Sequence, residues 1–121
     1  MRQGDRQTKI VKHTDLEVYN NAFESAMHVF RYSTDFPSEE RFSLTDQIRR
    51  SSRSVAANIA EGWRRRRYSA AFVNKLNESE AEASETQTWL QFAVECEYIS
   101  AEETRPLYQN YDSLIAMLIT M

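Results

Sequence analysis

The sequence predicts an all-α protein, an antiparallel up-down-up-down four-helix bundle, on three observations. Four stretches carry apolar residues at three- and four-residue steps, the mark of a helix with one buried face. Short polar segments join these stretches, and a chain of amphipathic helices with short connections buries its apolar faces most simply as a bundle. The 121 residues include only two Gly and two Pro, too little turn material for a many-stranded sheet. With 41% hydrophobic residues, the chain holds enough apolar material for one core and one domain.

Residues 1–13 carry Arg2, Arg6, Lys9 and Lys12 against Asp5 and lack an apolar stripe, which predicts a flexible basic arm before a bundle over 14–121. The first helix is expected from about Thr14 to Ser33, with Thr14 or Asp15 as N-cap and Leu16, Tyr19, Phe23, Ala26, Met27 and Phe30 on one face. Pro37 drives Phe36 out of helical geometry and makes DFPSEERF a loop. Ser43 is the expected N-cap of the second helix, with Asp46 favourably placed against its N-terminal partial charge. Its inner stripe is Leu44, Ile48, Ser51, Val55, Ile59 and Gly62/Trp63, and Gly62 either ends it or lets another backbone come close.

The third helix is expected from about Ser69 to Glu97, with Phe72, Leu76, Ser79, Ala83, Thr86, Leu90 and Ala93 inward. The fourth begins at Ser100, where S-A-E-E has the spacing of a capping box, and turns Leu107, Tyr111, Leu114 and Leu118 to the core. Pro106 implies a late start near Arg105 or a kink. Apolar residues beyond a single stripe, Val18, Ala22 and Val29 in the first helix and Trp89, Phe92 and Cys96 in the third, predict a homo-oligomer, since a monomer would leave them wet.

A net charge of −3 conceals a segregation. From Arg49 to Arg67 seven arginines stand against the single acid Glu61, whereas Leu76 to Thr104 holds eight acids and no Lys or Arg. The two segments either pair, within or between subunits, or face charged partners. Arg49, Arg50 and Arg53 suit phosphate by their planar guanidinium groups, and equally suit the glutamates of the third helix. Arg64, Arg65, Arg66 and Arg67 wrap most of a helical turn, so no one acidic face satisfies them all. With Trp63 and Tyr68 beside them they form the stronger nucleic-acid candidate, set against a simple solvated charge run.

Asn58 and Glu61, three apart among apolar neighbours, read as a buried hydrogen-bond network that sets bundle register rather than as a catalytic pair; Glu61 has the alternative of an ion pair with Arg50 or Arg53 of a neighbouring helix. A ferritin-like metal site needs Glu-x-x-His on two helices, and here Glu24 and His28 are four apart. Cys96 has no nearby Cys or His and reads as a packed thiol. With Gly4 and Gly62 as the only glycines there is no phosphate-cradling loop, so no enzyme, cofactor, metal or small-molecule substrate is expected. One cysteine, no N-terminal apolar segment and no membrane-length apolar run point to the cytoplasm.

DLEVYNNAF (Asp15 to Phe23), FPSEERFSLTDQIRRSSRSVAANIAEGW (Phe36 to Trp63) and EAEASETQTWL (Glu80 to Leu90) resemble the bacterial 23S rRNA intervening-sequence protein family of four-helix-bundle proteins. The most specific element is QIRR, Gln47 to Arg50, followed by NIAEG, Asn58 to Gly62. The resemblance covers Asp15 to Met121 and extends to the accessory variability determinant of diversity-generating retroelements, a similar bundle that binds nucleic acid. It implies a homopentamer around a central opening and a link to RNA. Two departures stand out: Ser43 where relatives commonly have glycine, and Ala81 and Glu82 where they have a small Gly-Ser pair. The resulting expectation is an oligomer that binds RNA or a ribonucleoprotein through the arginines, the alternative being a protein-interaction scaffold whose arginines make subunit contacts. Asn58, Glu61, Gly62, Trp63, Trp89 and Phe92 are the expected structural or interface residues.

Overall fold

The computed structural model describes residues 9–121 and consists of four helices, α1 (Glu17–Ser33), α2 (Leu44–Arg64), α3 (Ser69–Glu95) and α4 (Ala101–Ile119). Single 3-10 turns at His13–Asp15 and Ser38–Glu40 precede α1 and α2, and no strand occurs among the described residues. Residues 1–8 of the expected basic arm lie outside the described residues. The backbones of chain neighbours pack on one another and α4 closes back on α1, so the four helices surround one core. Val55, Ile59, Ala83, Leu90, Tyr111 and Leu114 lie at its centre, each almost completely shielded from water.

The inner stripe of α2 is the expected one, with Leu44, Ile48, Ser51, Val55, Ile59 and Gly62 buried. In α3, Leu76, Ser79, Ala83, Thr86, Leu90 and Ala93 are buried, and Phe72 packs against the core from its edge. Small residues let these two helices approach closely. The Ser51 and Thr86 hydroxyls are 2.8 Å apart, and the Ser79 hydroxyl donates to the Val55 carbonyl at 2.8 Å. Gly62 does not end α2; a Cβ there would lie 3.2 Å from the Lys75 Cβ, so the glycine is a close-approach residue.

The face of α1 is turned relative to expectation. Leu16 is buried and Tyr19 packs on the core as expected, but Phe23 and Met27 are 51% and 39% exposed and Phe30 lies outside with them, while Val18, Ala22 and Val29, expected to stay wet in a monomer, point inward with Ser25 and Ser33. The inward line follows the same helical period but is built from small residues. It brings Ser25 and Asn21 against Asn110 of α4, whose Nδ2 donates to the Asn21 Oδ1 at 2.7 Å. A polar cluster of this kind must be matched group by group, and this is what holds the smaller face inward.

The helix ends also differ from expectation. Neither Thr14 nor Asp15 caps α1; its N-cap position is Leu16, and the Asp15 carboxylate instead accepts from the backbone N–H groups of Val11 (2.9 Å) and Lys12 (3.0 Å). These two donors hold the Asp15 carboxyl below its ordinary pKa. Ser43 does not cap α2. Glu40 does so from the preceding turn, its Oε1 accepting from the Ser43 hydroxyl at 2.6 Å and from the Leu44 N–H at 3.3 Å. Helix α3 stops at Glu95 rather than Glu97 because Glu97 takes the left-handed conformation, with φ of 63°. The Tyr98 N–H then reaches the Ala93 carbonyl at 2.9 Å and the Glu97 N–H the Val94 carbonyl, a Schellman motif. Ser100 caps α4 as expected, accepting from the Glu103 N–H at 3.0 Å. The expected late start near Arg105 does not occur: α4 begins at Ala101 and runs on through Pro106, which gives up one backbone hydrogen bond.

Candidate nucleic-acid interface

Because the buried line of α2 takes Ile48, Ser52, Val55 and Ile59, helical geometry turns Arg49, Arg50, Arg53 and Arg64 to its sides and outer face. The first three share a groove of about 620 Å³ with Asp46, Arg41 and Phe42, the last two from the turn before the helix. They have different fates. Arg50 is committed to α3: its Nη2 pairs with Glu85 and its Nη1 lies 3.5 Å from Glu82. Desolvation pulls the Arg50 pKa down, but these two carboxylates outweigh it and the value ends raised. The structural alternative for the arginines therefore holds for Arg50.

Arg49 and Arg53 have other neighbours within the chain. The Arg49 Nε donates to the Ser33 hydroxyl at 2.8 Å, and its guanidinium stacks 4.8 Å from the centre of the Phe30 ring. Arg53 lies 6.0 Å from the same ring. Neither meets a carboxylate among the described residues; Arg53 is exposed and Arg49 half-buried. Phe42 closes the groove at its N-terminal end and is 87% exposed.

At the other end of α2 all four residues Arg64 to Arg67 are exposed, and the helix gives way to turns through Arg67. They form no continuous helical band. Arg66 folds back over Trp63, 4.2 Å from the ring, and donates to its carbonyl at 2.8 Å. The Trp63 Nε1 donates in turn to the Val11 carbonyl at 3.3 Å, which ties the chain before α1 to this end of α2. Tyr68, 66% exposed, follows the arginine run. The two arginine clusters thus lie at opposite ends of α2, about 20 Å apart at 1.5 Å per residue, and do not merge into one site.

The expected Asn58–Glu61 network is absent. Asn58 is half-buried with no side-chain hydrogen bond among the described residues. Glu61 is exposed and pairs with Lys75 of α3 at 2.9 Å. Lys75 lowers the Glu61 pKa, and Glu61 and Glu78 raise that of Lys75. The buried polar contacts lie elsewhere, in Ser51–Thr86, in Asn21–Ser25–Asn110, and in Gln87, whose amide donates to Asp112 at 2.9 Å. Their signal in the sequence is a polar residue falling on the inner line of its helix.

Trp89 is half-buried, its Nε1 donating to Glu85 at 3.1 Å, and Phe92 is 53% exposed beside it. Cys96 is not the packed thiol expected. It is exposed at the end of α3, past the last buried turn, and lines a second groove of about 370 Å³ with Phe42, Gln47, Trp89, Phe92 and Glu40. Among the described residues, no group of three His, Cys, Asp or Glu residues is arranged to hold a metal ion, and no helix is long and apolar enough to cross a membrane.

A family model described as 23S rRNA-intervening sequence protein matches residues 14–120. Among solved structures, a protein of unknown function from the S23 ribosomal protein family of Bacteroides thetaiotaomicron is similar at 31% identity with a TM-score of 0.76, the alignment covering 85% of this chain and 95% of that one. No curated protein matches.

Proposed function

Because the chain belongs to the 23S rRNA-intervening sequence protein family, we propose that it is an oligomeric binding protein rather than a catalyst, and that it binds RNA through the arginine faces of α2. The observation that carries this reading is the contrast between Arg50, neutralised by Glu82 and Glu85, and Arg49 and Arg53, which make no ion pair among the described residues and lie against a hydroxyl and an aromatic ring. Two guanidinium groups one helical turn apart with no ion-pair partner are suited to successive phosphates. Arg64 to Arg67 supply a second cationic patch. The antiparallel up-down-up-down arrangement is supported by contacts that run in opposite senses, Ser51 with Thr86 and Glu61 with Lys75, Asn21 with Asn110 and Tyr32 with Glu103.

Self-association, as the pentamer that the family resemblance implies, is supported by the exposed apolar side chains Phe23 and Met27 of α1. Repetition of the α2 face around a ring would multiply phosphate contacts and steepen the salt dependence of binding. The cytoplasm suits a free thiol such as Cys96. The alternative, a protein-interaction scaffold, draws support from the Arg50 pairing, in which an arginine of the signature serves packing.

Light scattering on protein purified without nuclease, with absorbance read at 260 and 280 nm across the peak, tests both parts. Several chains per particle with salt-removable excess absorbance at 260 nm is the expected result. A protein-like ratio, with no binding of added RNA at low salt, refutes the RNA reading and leaves the scaffold.

A further inference from the structure

Phe42 is the one large apolar side chain shared by two adjoining grooves of different chemistry. On one side lie Arg41, Arg49 and Arg53, with Arg50 neutralised by α3 and Asp46 as the only acid. On the other lie Trp89, Phe92 and Cys96, where the only charge is the Glu40 carboxylate. The turn that carries this ring is not loose. It is held by the Arg41 N–H on the Ser38 carbonyl at 3.1 Å and the Ser43 N–H on the Glu40 carbonyl at 3.0 Å. Glu40 is fixed to the Ser43 hydroxyl and, through the Tyr98 hydroxyl at 2.7 Å, to the chain after α3. Phe42, 87% exposed on so well-tied a turn, packs its ring against no core residue, and Arg41 lies over it at 5.6 Å.

The geometry points to single-stranded nucleic acid as the ligand class of this face, with phosphates in the arginine groove and bases turned over Phe42 into the Trp89–Phe92 groove. The charge distribution sorts the two halves of a nucleotide. Arginines attract the backbone on one side, and Glu40 repels it from the aromatic side while leaving the uncharged base free to stack. A duplex keeps its bases paired inside and offers phosphates to the arginines but no π-face to Phe42. Arg49 and Arg53, one turn apart or about 6 Å along α2, are spaced for neighbouring phosphates of an extended strand. This inference rests on the RNA reading above and specifies it.

The test compares, by fluorescence anisotropy on the full chain, a labelled unstructured 20-nucleotide RNA with the same strand in a blunt duplex. The single strand is expected to bind at least about tenfold more tightly, the effect of one stacked base. Phe42→Ala is expected to lose about tenfold for the single strand and less than about twofold for the duplex, and Phe42→Trp to restore binding. The double variant Arg49→Gln, Arg53→Gln is expected to weaken both forms alike. Equal affinity for the two forms, or a Phe42→Ala protein that binds the single strand unchanged, overturns the inference while leaving the RNA reading intact. Absence of binding by either form at low salt removes both. A changed subunit number in Phe42→Ala, read by light scattering, identifies Phe42 as a subunit contact and overturns the inference as well.

Discussion

Replacing Tyr111 with phenylalanine removes one oxygen from the centre of the bundle, and the change is expected to stabilise the protein. Tyr111 has no exposed surface, and its hydroxyl has no hydrogen-bond partner among the described residues. Burial without a partner disfavours the phenolate and pushes the Tyr111 pKa up, a second expression of the same desolvation. Leaving a buried polar group unsatisfied costs about 1–3 kcal/mol. Against this, phenylalanine leaves a void the size of one oxygen and loses its dispersion contacts, a fraction of a kcal/mol. The net expectation is a gain of about 1 kcal/mol, or roughly 4 °C in Tm for a chain of this length. Urea and thermal unfolding should be compared at one protein concentration, because the proposed self-association would make Tm concentration-dependent. Tyr98→Phe serves as the contrast, since the Tyr98 hydroxyl donates to Glu40 at 2.7 Å and its loss should destabilise. A Tyr111→Phe protein less stable than wild type by 1 kcal/mol or more would show that the hydroxyl is satisfied and refute the reasoning.

Two further predictions concern the ends of α2 and α3. Glu97 sits in the left-handed region at a C′ position where glycine carries no Cβ penalty, so Glu97→Gly is expected to raise stability by about 0.5–1 kcal/mol in urea unfolding, and a loss would contradict the Schellman assignment. The Glu40 carboxyl is held below its ordinary 4.5 by the Ser43 and Tyr98 hydroxyls and the Leu44 N–H. A lowered folded pKa means that this contribution is complete above about pH 4.5 and is lost as pH falls through the folded value. Glu40→Gln should therefore be less stable than wild type at pH 7, with the difference shrinking toward pH 3. The same contact pushes Tyr98 up to about 12 from 10.0, so its contribution persists to pH 10 and disappears as pH rises toward 12. A difference between wild type and Glu40→Gln that is flat from pH 7 to pH 3 would rule out the cap.

Where large apolar residues and inner positions coincide, sequence periodicity is enough. In α2, Leu44, Ile48, Val55 and Ile59 are both the bulkiest residues and the buried ones, so the arginines had to face outward. In α1 bulk and burial part company. Periodicity states that Phe23, Met27 and Phe30 share a face; whether that face is inside depends on what α4 presents, here Asn110. The division of the arginines was hidden for a related reason. Which of Arg49, Arg50 and Arg53 finds a carboxylate depends on the rotation of α3, which turns Glu82 and Glu85 toward Arg50 alone. Caps built from an adjacent turn, such as Glu40 on Leu44, escape a search restricted to the N-cap position. The polar cluster at Ser25 was legible in principle, since Val18, Ala22, Ser25 and Val29 form a stripe of their own.

The turned face of α1 favours self-association. A helix whose small face is buried and whose Phe23 and Met27 stand in water pays a hydration cost that the monomer has no means of recovering. Covering these two side chains with a second copy removes on the order of 120 Å² of apolar surface from water, about 3 kcal/mol per subunit at 25 cal/mol per Å². The double variant Phe23→Ser, Met27→Ser should therefore weaken association by about a hundredfold, visible as smaller particles on dilution in light scattering. It should leave helix content by circular dichroism unchanged, because both side chains already lie outside the core cluster. Phe30 is unsuitable for this test, since Arg49 and Arg53 stack on it and its loss would perturb the arginine face as well. A variant that keeps the wild-type subunit number at every dilution would place the subunit contact elsewhere, with Val73 of α3 the next residue to change.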